Sequence, residues 1–313
     1  MFSVIIPLYN KADHIRKAVH SVLHQTFTDF ELIVVNDGST DGGLDRIKCL
    51  KDERIKIFSQ QNAGVSAARN NGVKEATHDY IAFLDADDWW DARYLNEMNN
   101  LINNFPEAGL YGAKYREVKN GRQREAIIRL DHTFKEGYIH YFEAYAKTNW
   151  MPLFPSSAVM PKRVFDEMGG FKPLLKLGED FDLWVRVALK YKVAYLNKPL
   201  VYYNQDVDMS HKGVNPKKIY EIQTHYIFQL NYLKEEEKKN ASLKKLLDQK
   251  RVYALFRYYL SGSNKKETRE QLNKVNFSKQ SLAVKLKYKL PLPIVKFYHY
   301  CRLQAHQIKQ FIK

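Results

Sequence analysis

Short apolar runs alternate with stretches of helical period through the first part of the chain. Residues 2–7 form a short apolar run fit for a buried strand. Ile15, Ala18, Val19, Val22 and Leu23 then recur at the spacing of one helix face. Residues 30–37 predict a second strand, 42–50 a short helix, 55–59 a third strand, 65–76 a helix and 80–84 a fourth strand. Such a βαβα series implies parallel strands covered by helices. Right-handed crossovers then place the strand ends, at Pro7, Asp37 and Asp85, along one edge. Ligands bind at that edge in open α/β sheets.

Beyond Trp90 the pattern changes. Residues 92–104 predict a helix. Asn120-Gly121 within residues 118–123 signals a hairpin. Residues 139–147 and 181–190 predict helices, and 157–160 and 193–196 strands. The fold class expected is α/β, a Rossmann-like mixed sheet flanked by helices. From about residue 215 the chain becomes helical, basic and aromatic, with a break near Ser261-Gly262-Ser263. Residues 1–214 are therefore expected as one catalytic-type domain and 215–313 as a basic, mainly helical extension.

Composition narrows the class. Hydrophobic residues make up 45% and charged residues 27%, which is globular and not disordered. Cys49 and Cys301 form neither a metal spacing nor a disulfide framework, which fits a reducing compartment. The first residues lack the basic region and apolar length of a secretion signal, and no run is long enough to span a bilayer. A cytoplasmic location is expected, with peripheral attachment at the inner face of the plasma membrane. The net charge of +15, from 50 basic and 35 acidic residues, calls for an anionic partner. No acid follows Glu270, so the excess belongs in part to the tail.

Three groups of carboxylates carry the candidate chemistry. In Phe83-Leu84-Asp85-Ala86-Asp87-Asp88 an apolar strand runs straight into three acids. Like charges so close are costly unless a cation binds them. Mg²⁺ or Mn²⁺ has the hard character these oxygens suit and also holds diphosphates. The simpler account is that Asp88 or Asp91 caps the following helix, but capping explains one acid and not three. In Val34-Val35-Asn36-Asp37-Gly38-Ser39, Asp37 ends a strand and offers an acceptor to a base or ribose; an ordinary Asp-Gly turn is the alternative. In Gly178-Glu179-Asp180-Phe181-Asp182 paired acids open a helix. They suit a general base, or simply the positive end of the helix dipole.

In order and spacing these segments resemble the family 2 glycosyltransferases of GT-A fold, from residue 1 to about 210. The anchors are Ser3-Val4-Ile5-Ile6-Pro7-Leu8-Tyr9-Asn10, Asn36-Asp37-Gly38-Ser39-Thr40-Asp41, Gln61-Asn62-Ala63-Gly64-Val65-Ser66-Ala67-Ala68-Arg69-Asn70, Asp85-Ala86-Asp87-Asp88 and Gly178-Glu179-Asp180-Phe181-Asp182-Leu183-Trp184. The resemblance implies an inverting, metal-dependent transfer from a nucleotide-sugar, most often a UDP-sugar. The acceptor would be a glycan or lipid-linked saccharide of a cell-surface polysaccharide. It places Pro7 and Tyr9 beside the base, Asp37 on the base and Arg69 near the ribose or diphosphate. Asp85 and Asp87 match the DxD motif, with Asp85 toward the ribose and Asp87 on the metal, Mn²⁺ or Mg²⁺. Asn10, Asn62 and Ala86 complete the donor-binding set. Asp180 matches the catalytic base and Glu179 helps place the acceptor. Trp89 or Trp184 offers a face to a sugar, and for both a core role is the alternative.

Two departures stand out. Relatives often carry a Tyr-Arg-x-His segment whose His ligates the metal. Here Tyr203-Asn204-Gln205-Asp206 is followed by Met209-Ser210-His211, so Asp206 or His211 takes that place. Gly169-Gly170-Phe171-Lys172-Pro173 carries Lys-Pro where relatives are often acidic, on the acceptor side. In the tail, residues 285–298 mix Lys with apolar and aromatic residues, a pattern suited to an acidic membrane surface or to packing on a core. No nucleic-acid reader motif is present, so no nucleic-acid partner is expected. A nucleotidyltransferase would usually show a glycine-rich phosphate loop after the first strand, and Leu8-Tyr9-Asn10-Lys11-Ala12 has no glycine. A non-catalytic sugar-nucleotide or glycan-binding protein is the other alternative.

Overall fold

The computed structural model describes residues 1–148, 150–206 and 218–311. The chain forms two compact units, Met1–Tyr226 and Ile227–Lys313. The first unit opens with β1 (Phe2–Leu8), α1 (Ile15–Leu23), β2 (Phe30–Asn36), α2 (Asp45–Lys48), β3 (Ile55–Ser59), α3 (Val65–Glu75) and β4 (Tyr80–Phe83). It continues with β5 (Trp89–Trp90), α4 (Tyr94–Asn104), β6 (Ala108–Lys119), β7 (Arg122–Glu125), β8 (Glu136–Ile139) and α5 (Tyr141–Thr148). It closes with β9 (Ala158–Pro161), α6 (Lys162–Glu167), α7 (Glu179–Lys190) and β10 (Lys192–Asn204).

The ten strands of the described residues share one mixed sheet, in the order β3-β2-β1-β4-β9-β6-β10-β5, with β7 beside β6 and β8 beside β10. The first four in this order are parallel. β9 runs antiparallel to both β4 and β6, and β10 is again parallel to β6. Side chains alternate across the sheet. Phe2, Val4, Ile6 and Leu8 join a core cluster with α1 and α4 residues such as Val19, Val22, Met98 and Leu101. Ile5 and Val35 face the other way, toward α3: a Cβ on Gly72 would lie 2.5 Å from Ile5 Cγ2 and 3.2 Å from Val35 Cγ2. β1 is buried on both faces, which is why it is apolar at every position but Ser3, whose hydroxyl donates to Glu31 Oε1 at 2.6 Å. Parallel register sets Leu8 beside Asn36, so the loops after β1, β2 and β4 emerge at one edge.

Several elements differ from the sequence expectation. β5 was not expected, because a two-residue strand carries no period. Ile139 ends β8 and does not start a helix. The first unit runs to Tyr226; the expected boundary at residue 214 lies outside the described residues. The segment ending at Tyr226 returns to the first unit: Lys176 N donates to Thr224 O at 2.8 Å and Tyr226 N to Leu177 O at 3.1 Å. Tyr226 also packs on Phe181, ring centroids 4.9 Å apart.

The second unit is helical: α8 (Lys234–Lys239), α9 (Ala241–Ala254), α10 (Phe256–Ser261), α11 (Lys265–Asn273), α12 (Leu282–Lys289) and α13 (Leu292–Phe311). The break at residues 261–263 is real, with Gly262 left-handed at φ 76°. Among the described residues no helix is long and apolar enough to cross a membrane.

Candidate active site

The loops at the sheet edge are tied to one another before any ligand is considered. Asn10, in the left-handed region at φ 50°, accepts at Oδ1 from Thr40 N (2.9 Å) and donates its own N–H to Ser39 Oγ (3.2 Å). Asp41 accepts from Ala12 N at 2.7 Å. Pro7 is buried within β1, while Tyr9 is 48% exposed and presents an open ring. Asp37 is buried and accepts from Gln60 Nε2 (2.7 Å) and Ala63 N (2.8 Å) at Oδ1, and from Gly64 N (2.9 Å) at Oδ2. A carboxylate has about four acceptor positions, so one remains, on Oδ2. Asn62 is exposed, and its backbone N–H closes on Gly38: a Cβ there would lie 3.0 Å from Asn62 N, at a φ of +74° that already favours glycine.

The three acids after β4 go to three different partners. Asp85 Oδ1 meets Arg69 Nη2 at 2.6 Å. Asp87 Oδ2 meets Lys11 Nζ at 2.6 Å. Asp88 is buried and accepts from Ser156 Oγ at 2.5 Å and from Asn204 N at 2.9 Å. Burial, then the charges of Asp87 and Asp85, push the Asp88 carboxyl well above the usual carboxylate range; the two hydrogen bonds oppose this. Ser156 Oγ in turn accepts from Asp85 N at 3.0 Å, so Asp88 fixes the backbone of the acid that leads the motif. Ala86 is buried between them. Asp88 is thus a positioning residue and not a helix cap. Asp91 does sit at the start of α4, accepting from Arg93 N at 3.0 Å.

Arg69 joins this edge to α7. Its guanidinium is 3% exposed and also meets Glu179 Oε1, through Nη1, at 3.1 Å. Burial opposes its charge, but Asp85 and Glu179 outweigh burial and hold it firmly protonated. The α7 start is shaped by Gly178, left-handed at φ 78°, where a Cβ would lie 2.2 Å from the Tyr226 ring. Asp180 follows in the first turn and accepts from Phe181 N at 2.7 Å. Burial first, and the neighbouring Glu179 charge second, raise its pKa to about 7, against the pull of Phe181 N–H and Arg69. A carboxylate that titrates near neutrality can both take and release a proton at working pH.

The same turn is braced from below. Asp182 is buried and pairs with Lys172 and Arg186, each at 2.8 Å. Arg186 also donates to Gly170 O at 2.8 Å, and Asn70 grips both backbone groups of Phe171, at 2.7 and 3.0 Å. Lys172, conspicuous in the sequence as a departure from relatives, therefore serves α7 through Asp182.

Three of the expected residues have partners within the fold. Trp184 is 1% exposed and packs edge-on against Phe171, so it belongs to the core and offers no face to a sugar. Trp89 is half-buried, stacked on Tyr202 at 5.3 Å with Lys17 Nζ 2.9 Å from its ring centre. The Asp206 carboxylate receives Asn120 N at 2.7 and 2.8 Å, which commits it to the β6–β7 hairpin. His211 lies outside the described residues. Among the described residues no three His, Cys, Asp or Glu side chains converge as a metal cage. Asp87, partly exposed and hard in character, suits a divalent cation shared with a diphosphate, the usual arrangement for Mg²⁺.

Sequence reasoning missed Lys11, Ser156 and Asn70. Lys11 carried a signal, as the cation next to Asn10 in a strand-end loop. Ser156 carried none.

Comparison with known proteins agrees with this architecture. Residues 3–169 match the family model described as Glycosyl transferase family 2. The chain belongs to that family. It is 33% identical over 210 residues to the glycosyltransferase GlyA of Streptococcus pneumoniae, covering 64% of this chain and 30% of GlyA. It is 47% identical over 88 residues to YibD of Escherichia coli, described as an uncharacterized glycosyltransferase, covering 28% of this chain and 26% of YibD. The chain spans about a third of the length of the first three curated relatives, between 30% and 32%. Among solved structures, S. aureus TarS 1-349 in complex with UDP-GlcNAc superposes with a TM-score of 0.69 at 21% identity, covering 87% of this chain and 79% of that one. At that identity the likeness speaks for the fold, which is the GT-A type with C-terminal helices.

Proposed function

We propose that this chain moves one sugar from a nucleoside-diphosphate sugar, a UDP-sugar, to a hydroxyl of a glycan or lipid-linked saccharide, inverting the anomeric centre. A cytoplasmic setting and a role in cell-surface polysaccharide synthesis are part of the proposal. The observation that carries it is Arg69, whose one buried guanidinium draws Asp85 of the strand-end acids and Glu179 of the α7 turn to a single place. That contact sets a donor-binding edge beside a carboxylate poised as base.

The donor base stacks on Tyr9 beside Pro7, and its imide N–H takes the remaining acceptor position of Asp37. Asn10 and Asn62 line the two loops that frame it. Asp85 accepts from the ribose, and Lys11 and Asp87 lie at the diphosphate. A bound Mn²⁺ or Mg²⁺ at Asp87 would offset the charge that grows on the departing diphosphate. Asp180 takes the acceptor proton while that oxygen bonds to the anomeric carbon. The bond from that carbon to the phosphate oxygen breaks with its electron pair, and the nucleoside diphosphate leaves. No covalent sugar–enzyme intermediate is required. The proposal is tested by measuring nucleoside diphosphate released from a panel of nucleotide-sugars, with Mn²⁺ and with EDTA. Metal-dependent turnover of a UDP-sugar is the expected result; turnover of a nucleoside triphosphate and sugar phosphate to pyrophosphate would identify a nucleotidyltransferase instead.

A base acts only when ionised. With Asp180 at about 7, kcat/KM rises with pH through neutrality and levels off above it. Glu179→Gln removes the nearby charge that helps raise Asp180, so the acid limb moves to lower pH. A pH profile of both proteins checks this, and an unmoved limb would assign the limb to another group.

Lys11 Nζ holds Oδ2 of Asp87, an oxygen that a metal could take only in its place. Lys11→Met therefore tightens Mn²⁺ binding to the nucleotide-free protein and weakens UDP binding in EDTA. Titration calorimetry reads both. If Mn²⁺ affinity does not rise, Lys11 does not compete for that oxygen.

A further inference from the structure

The charge of this chain is concentrated in one unit. Residues 227–313 contain 20 Lys and Arg against 6 Asp and Glu, a net of +14, whereas residues 1–226 contain 30 against 29. The second unit nonetheless has an ordinary apolar interior, built from Leu243, Leu246 and Leu247 on α9, Tyr258 on α10 and Leu255 between them. α13 docks beside it through one face. Val295 is buried, and His299, one turn on, meets the Phe256 ring edge-on at 5.6 Å.

The opposite face of α13 is apolar and open. Ile294 is 52% exposed, Phe297 69% and Tyr298 61%, and Cys301 is exposed as well. These positions, at i, i+3, i+4 and i+7, form one stripe. α12 adds Leu282 and Leu286, also exposed and one turn apart. On α12, Lys285 and Lys289 stand three residues after Leu282 and Leu286, and Lys289 is exposed.

We propose that α12 and α13 form a lipid-facing surface, taking a bilayer that contains anionic phospholipid. Exposed aliphatic side chains beside lysines gain from hydrocarbon and from headgroup phosphate at once. The aromatic rings suit the headgroup level. Nucleic acid would answer the charge but leave Ile294, Leu282 and Leu286 without a partner. A second copy of this unit would cover the apolar stripe only by setting one +14 surface against another. This surface is independent of the transfer chemistry.

The test uses the full chain and sedimentation with vesicles. Binding to phosphatidylcholine vesicles containing phosphatidylglycerol should exceed binding to phosphatidylcholine alone by about tenfold or more, and should fall with salt. Ile294→Ser combined with Phe297→Ser should lower the anionic-vesicle binding by about tenfold. A thiol-linked environment-sensitive dye on Cys301, in a Cys49→Ser chain, should shift to the blue on adding the anionic vesicles. Equal binding to both vesicle types, or anionic binding unaffected by the double substitution, overturns the proposal. So does an unshifted dye, or tight salt-sensitive binding to duplex RNA or DNA without vesicle binding.

Discussion

Asp180→Asn lowers sugar transfer by about 10²–10⁴-fold, the range associated with a positioned general base, and leaves UDP binding within a factor of about two of wild type. The substitution is nearly isosteric. It keeps the acceptor for Phe181 N–H and removes only the ability to take a proton. It also removes one negative charge from a turn crowded by Glu179 and Asp85, so folding should not suffer. Transfer rate and UDP affinity, measured on the same preparation, separate a catalyst from a binding protein. Loss of both together would mean that Asp180 holds the donor site and is not the base.

Arg69→Met has a larger effect on the fold than on any single contact. Arg69 is buried, and its charge neutralises Asp85 and Glu179 across the gap between β4 and α7. Breaking a buried pair by removing one partner typically costs about 3–5 kcal/mol, because the other charge stays behind. Here two carboxylates stay behind. Methionine fills much of the volume, so the loss is electrostatic. Without Arg69, which pulls the Asp180 pKa down, that carboxyl also titrates higher and less of it is ionised at neutral pH. Arg69→Lys keeps the charge but not the fork that reaches two partners, and should fall between. Denaturant unfolding of the three proteins checks the order; equal midpoints would show that Arg69 does not link the two elements.

The halves of the fold differ in how plainly the sequence encodes them. β1 to β4 and their helices lie within a residue or two of where periodicity places most of them, because β1 and β2 are buried on both faces and β3, at the sheet edge, alternates. The Asn120-Gly121 hairpin was equally plain, both residues lying at positive φ between paired strands. β6 was seen only at this turn, since Ala108 to Ala113 are buried without alternation. β10 runs to Asn204, well past Leu196, because its second half pairs with β6 on one side and with Trp89 and Trp90 on the other, and not because of its own pattern.

In the site, the acids were legible because a strand running into carboxylates is chemically costly. Their partners were not. Lys11 and Asp87 are 76 residues apart, and Arg69 and Glu179 are 110 apart. Nothing local marks such pairs; the sheet order brings them together. Trp184 illustrates the converse, for its place beside the acids suggested a sugar platform while its helical phase faces the core. Asp88 is similar: adjacent to the motif, it serves the fold through Ser156.

The central claim is that the strand-end acids form a nucleoside-diphosphate site. Calorimetric titration of UDP, with Mn²⁺ and with EDTA, into wild type and Asp87→Ala tests it most directly. Saturable UDP binding that strengthens with Mn²⁺ is expected, with a loss of that metal-dependent gain in Asp87→Ala. UDP binding with the same metal response in both proteins, or no UDP binding under either condition, would contradict it.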